Sequence, residues 1–219
     1  MSHTTLALLQ GALTEIYDLP DTPDVRDFLM TDRAALGAVD DPRASDEQLI
    51  VAEEGDTLSM ALFIDAAVLE RLKRSDPFTG LTQDNLADYL TVAEGVSHFV
   101  YVAWNTGYDQ PVTLFELELQ AEIDKYVLCA WLLREQGSGR FPRELHRTLF
   151  ERARIDAVAA AGRVGLYHMA STYAARFCRH VAALLERKRH GVARDLMAEL
   201  RRFYRWGNVR KLRHIERYA

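Results

Sequence analysis

The apolar pattern of this chain predicts a mainly α-helical protein of the α+β class: a multi-helix bundle around a central antiparallel helical hairpin, with a small β-hairpin in the N-terminal half. Three observations carry that expectation. Apolar residues recur at helical spacing in two long runs between Thr82 and Leu133, and Asn105, Gly107 and Thr113 divide the runs with stop and start signals. Between Gln48 and Ile64 the period falls to two, as in a strand.

Taken in order, Thr4 to Ile16 has helical spacing in Leu6, Leu8, Leu9 and Leu13, and the acidic segment from Asp18 to Pro23 closes it. Thr22 and Pro23 then read as the cap and first residue of a second helix, with Asp24 in its first turn and Gly37 near its end. Asp40 to Asp46 reads as a loop. Leu58, Met60, Leu62 and Ile64 alternate with Thr57, Ser59, Ala61 and Phe63, and Leu49 to Glu53 is the expected partner strand across Glu54, Gly55 and Asp56. A helix from Ser45 is the alternative, because Ser45 and Gln48 resemble a capping box. Asp65 suits the cap of a short helix ending at Arg74, and Asp76 to Gly80 a loop.

The central hairpin begins at Thr82, a capping side chain, and its first helix runs to about Trp104. Leu86, Leu90, Ala93, Val100 and Trp104 form one apolar row, widened by Val92, Val96, Phe99 and Ala103, which makes the helix mostly buried. Thr91, Glu94, His98 and Asn105 form its polar strip. The second helix opens on the capping box Thr113 to Glu116. Its apolar rows leave Glu118, Glu122, Lys125 and Cys129 between them, while Gln120, Asp124 and Arg134 are expected to face solvent.

Pairing these helices brings Glu94, His98, Glu118 and Glu122 together, with Lys125 beside them. Carboxylates and an imidazole one turn apart are candidate ligands for iron, manganese or zinc, and also candidate acid/base groups. The preferred expectation is a buried network in which Lys125 and His98 neutralise the acids. The Glu94-x-x-x-His98 spacing also departs from the Glu-x-x-His of carboxylate-bridged dimetal bundles.

Beyond the hairpin, Pro142 suits the start of a helix passing Phe150, and Gly137, Ser138 and Gly139 a helix stop. A long helix from Arg163 to His190 buries Leu166, Ala170, Tyr173, Phe177, Val181 and Leu184, and carries His168, Thr172, Arg176 and His180 on a polar row. Gly191 and Gly207 separate two further helices, the last capped by Asn208.

The net charge of −5 conceals a polarity: residues 1–110 hold 6 Lys+Arg against 20 Asp+Glu, and residues 151–219 hold 16 against 6. Arg176, Arg205, Arg210 and Lys211 are therefore candidate anion-binding residues, with Phe203, Tyr204 and Trp206 interleaved for stacking on bases. Attraction to the acidic half of the same chain is the preferred explanation of the basic end. We expect a single domain, 1–219, with an acidic subregion 1–80, a helical core 82–190 and basic helices 192–217. No apolar run reaches the ~20 residues needed to span a bilayer. The two cysteines, Cys129 and Cys178, are expected to be buried thiols, which suits a cytoplasmic protein.

For function, the expectation that leads by default is a non-catalytic adaptor or regulatory module acting on a protein partner. A metal-dependent or acid/base enzyme using the helix carboxylates and His98 is the alternative. Nucleic-acid binding through the basic C-terminus stands third.

Overall fold

The computed structural model describes residues 2–20, 22–36, 45–55, 57–137, 144–150, 164–186 and 192–218. It contains α1 (Ser2–Tyr17), β1 (Leu29–Met30), β2 (Glu47–Glu54), β3 (Thr57–Ile64), α2 (Ala66–Arg74), α3 (Gln83–Thr106), α4 (Leu114–Gln136), α5 (Leu145–Phe150), α6 (Val164–Glu186), α7 (Val192–Tyr204) and α8 (Asn208–Ile215). The chain is mainly helical with a small mixed sheet in its N-terminal half, as the periodicity predicts.

The hairpin of α3 and α4 is the centre of the molecule. Val92, Val96, Phe99 and Val100 from α3 and Leu119, Ile123, Tyr126 and Leu128 from α4 are fully buried. In the first turn of α4, Thr113 Oγ1 accepts from the Glu116 amide at 3.2 Å, and the Thr113 amide donates to Glu116 Oε2 at 3.2 Å. At the start of α3 the Thr82 amide donates to Asn85 Oδ1 at 2.9 Å, and the Asn85 amide group reaches back to the Gly80 carbonyl. Asn105 does not stop α3. Its side-chain amide donates to the Tyr101 carbonyl at 2.7 Å, and the helix continues to Thr106 before Gly107 caps it.

Around the hairpin, α1, α2 and the sheet pack on α3, while α5 and α6 pack on α4. The β2–β3 hairpin forms with Leu49 opposite Leu62 and Glu47 opposite Ile64, which decides against a helix at Ser45. Its third strand, β1, pairs parallel to β3 through Leu29 and Leu62 and was not expected. That strand replaces the helix predicted from Thr22. Gln10 holds this segment open, donating to Thr22 Oγ1 at 3.0 Å and the Pro23 carbonyl at 2.7 Å and accepting from the Val25 amide at 2.9 Å. Asp24 caps only a 3₁₀ turn, Val25–Phe28. Asp65 caps α2 as expected, accepting from the Ala67 amide at 2.8 Å. Gly37, Ser138, Gly139, Pro142 and Gly191 lie outside the described residues.

In α6, Ala170, Phe177 and Val181 are buried and His168 and Thr172 are exposed, as the spacing predicts. Gly207 caps α8, and Asn208 is its first residue rather than its cap. No helix among the described residues is long and apolar enough to cross a membrane.

The basic C-terminal segment meets the acidic half of the chain at the end of α1. Arg201 donates to the carbonyls of Ile16 and Glu15, and Arg205 to those of Tyr17 at 2.9 Å and Asp18 at 2.7 Å. These carbonyls lie at and just beyond the end of the helix, at the negative pole of its dipole, where intrahelical partners run out. Asp18 sits in the left-handed region, φ 53°, which turns the chain out of α1 and presents them. We expect Arg205→Ala to cost about 1 kcal/mol, the usual net worth of such bonds, seen as a lower urea midpoint. An unchanged midpoint would show that the carbonyl contacts add nothing to stability.

Candidate metal centre

Glu94 and His98 from α3 and Glu118 from α4 offer three ligand atoms that all lie within 4.8 Å of one another. They converge because helices paired side by side present residues one turn apart to the same crevice. His98 and Glu118 form the buried floor, with side chains 5% and 9% exposed, whereas Glu94 is 27% exposed and stands at the mouth. Nε2 of His98 lies 3.9 Å from Glu118 Oε2 and has no hydrogen-bond partner among the described residues.

Lys125 closes one side of the crevice, donating to Glu94 Oε2 at 2.8 Å and Glu122 Oε1 at 2.5 Å. Glu122 is thereby held apart from the other three, towards Ser171 of α6, whose hydroxyl donates to its Oε2 at 3.5 Å. Of the four candidate ligands, then, Glu94, His98 and Glu118 share one centre, and Glu122 pairs with Lys125. A further carboxylate enters from the sheet. Glu47 is buried, its Oε1 is 3.5 Å from His98 Nδ1, and its Oε2 has no hydrogen-bond partner among the described residues. Its one visible signal is that it shares a strand face with Leu49, which packs on the core.

Charge in this crevice does not balance. Ionised Glu47, Glu94, Glu118 and Glu122 exceed Lys125 and protonated His98 by two negative charges. Burial pushes the Glu118 carboxyl up to about 7 and raises Glu47, with His98 opposing in both cases. Burial works against the imidazolium, but Glu47, Glu118 and Glu94 outweigh it and lift His98 to about 9. Burial likewise raises Glu94 until the Lys125 and His98 cations reverse the shift, and those carboxylates keep Lys125 protonated.

On the other flank of the hairpin lies a second polar cluster. Gln120 and Asp124, expected at the surface, are 0% and 1% exposed. Tyr17 and Ser97 donate to the two Asp124 oxygens at 2.5 and 2.6 Å, and Gln120 donates to Asp124 at 2.8 Å. Lys211 of α8 completes it, donating to Gln120 Oε1 at 2.8 Å and the Tyr101 hydroxyl at 2.9 Å, with its ammonium over the Tyr101 ring at 4.6 Å. The apolar residues all round α4 were the missed signal, since such a helix is buried with its polar residues.

The candidate anion-binding residues each have contacts within the chain. Lys211 is fully buried, which corrects its reading as an exposed cation. Arg205 is committed to the carbonyls after α1, Arg210 lies over Trp206 at 4.4 Å and Arg176 over Tyr173 at 5.5 Å. Both thiols are buried, and burial pushes Cys129 up to about 12 and Cys178 upward as well, so neither is a reactive nucleophile.

Lys211 gives a pH signature. Burial lowers it to about 7, against a partial opposing pull from Glu116 and Asp124. The folded chain therefore binds fewer protons at this site than the unfolded chain between about pH 7 and the ordinary lysine range, so its contribution to stability grows as pH rises through that window. Measured as a difference, wild type should gain on Lys211→Met as the pH rises from 7 to 10. A flat difference across the range would place the charge of Lys211 in water.

No protein-family model, curated protein or solved structure matches the chain.

Proposed function

We propose that this protein binds one divalent first-row transition ion between Glu94, His98 and Glu118, and that this centre is the seat of its activity. The observation that supports it is the unpartnered Nε2 of the buried His98, facing Glu118 at 3.9 Å with Glu94 at the mouth. A buried imidazole nitrogen without a partner is costly. An ion between the three groups supplies that partner and, in place of the His98 proton, lowers the excess of negative charge from two to one. Ligand atoms about 2.1 Å from one ion lie about 3–4 Å apart, so a small inward side-chain movement closes the set.

Two carboxylates and one imidazole form a mixed, oxygen-rich set that suits iron or manganese, with zinc as the competitor favoured by raw affinity. Three protein ligands leave coordination positions unfilled, and the exposed side of Glu94 leads to them, which is the arrangement of reactive rather than purely structural centres. This reading takes precedence over the adaptor reading because it rests on a particular geometry. Nucleic-acid binding through the basic end has the weakest support, since Lys211 is buried and Arg205 is occupied by backbone carbonyls.

Protein purified without chelator should carry close to one iron, manganese or zinc per chain by elemental analysis, and Glu118→Gln and His98→Ala should lose it. Binding must displace the His98 proton and, below about pH 7, that of Glu118, so affinity should rise from pH 6 to 8 with proton release. Added ion at a hundred times its dissociation constant should stabilise the fold by ~2.7 kcal/mol. Folded protein that carries no metal and is not stabilised by any of the three ions would defeat the proposal.

A further inference from the structure

We infer that Glu47, at the start of β2, is the positioning residue of this centre: it accepts the Nδ1–H of His98 and so presents Nε2 to the ion. The inference rests on the metal reading and adds the residue that prepares its histidine. Metal-bound histidines commonly give their second ring N–H to a carboxylate, which selects the tautomer and fixes the ring plane. Here one ring edge faces a buried carboxylate, Glu47 Oε1 at 3.5 Å from Nδ1, and the other edge faces Glu118 Oε2 at 3.9 Å, with no hydrogen-bond partner among the described residues. That separation is long for a hydrogen bond and within ion-pair range.

The fold holds Glu47 there by three means. Register places it opposite Ile64, and the next residue, Asp65, donates its amide to the Asp46 carbonyl at 2.9 Å. Arg33 ties the same corner, reaching Asp65 at 2.8 Å and Asp46 at 3.3 Å. Gly95 supplies the space on α3, because a Cβ at that position would stand 2.9 Å from Glu47 Oε2 and 3.0 Å from Leu62 Cδ1. The glycine thus lets the carboxylate lie against the helix backbone, one turn from the imidazole it orients. Through this contact the sheet sets the readiness of a site whose ligands all belong to helices.

Three variants test it with two readouts. Glu47→Ala removes the acceptor, Gly95→Ala pushes it aside, and Glu47→Gln keeps an acceptor oxygen in place. In metal-free protein at a pH of about 10, nitrogen chemical shifts of His98 should report the Nδ1–H tautomer in wild type and Glu47→Gln, and its loss in the two alanine variants. With Mn²⁺ as the probe near neutral pH, Glu47→Ala and Gly95→Ala should bind ~10–100-fold more weakly than wild type, with Glu47→Gln recovering most of the loss. An Nε2–H tautomer in wild type, or Mn²⁺ binding by Glu47→Ala equal to that of wild type, overturns the role of Glu47. Wild type that binds no Mn²⁺, Fe²⁺ or Zn²⁺ overturns the metal reading instead, and the tautomer measurement still decides what Glu47 does.

Discussion

The contact between α3 and α4 buries charge on both of its flanks, and the surrounding elements are placed to answer it. On one flank Glu94, His98, Glu118 and Lys125 meet, and the sheet and α6 close over them with Glu47 and Ser171. On the other, Asp124 is enclosed by Tyr17 from α1, Ser97 from α3 and Gln120 from its own helix, and Lys211 arrives from the far end of the chain. Buried charge without a partner costs several kcal/mol, so each of these elements is held to its position by the requirement that a polar group be met.

The two flanks meet that requirement differently. Around Asp124 the hydrogen bonds are short and the charges nearly cancel, with burial moving the carboxyl up to about 6 and Lys211 down to about 7. Such a cluster fixes the docking of α1 and α8 on the core. Around His98 the acids outnumber the bases. The Asp124 carboxylate is met on both oxygens, whereas one buried polar atom each of Glu47 and His98, Oε2 and Nε2, has no hydrogen-bond partner among the described residues.

Much of this was legible in the residues. Helical period and the Thr113 to Glu116 capping box located the hairpin, and one-turn spacing brought Glu94, His98 and Glu118 to a common crevice. Local patterning ran out where a long-range contact decided the outcome. Thr22, Pro23 and Asp24 carry a good helix-start signal, but Gln10 and the edge of β3 hold that segment extended. Asp124 and Gln120 resemble surface residues until Tyr17 and Lys211, distant in sequence, are placed over them. Glu47 could be assigned to the centre only once strand register put it against Gly95. The charge polarity shows the same limit: arginines that resemble a nucleic-acid surface spend their donors on the carbonyl end of α1.

The central claim is that an ion belongs between Glu94, His98 and Glu118, and anomalous diffraction from crystals grown with Mn²⁺ tests it most directly. The account predicts one strong peak about 2.0–2.3 Å from His98 Nε2 and from carboxylate oxygens of Glu94 and Glu118, with Lys125 still bound to Glu122. A crevice without a peak, in which His98 Nε2 has rotated into a hydrogen bond with Glu118, would contradict it and make the cluster a self-neutralised part of the core.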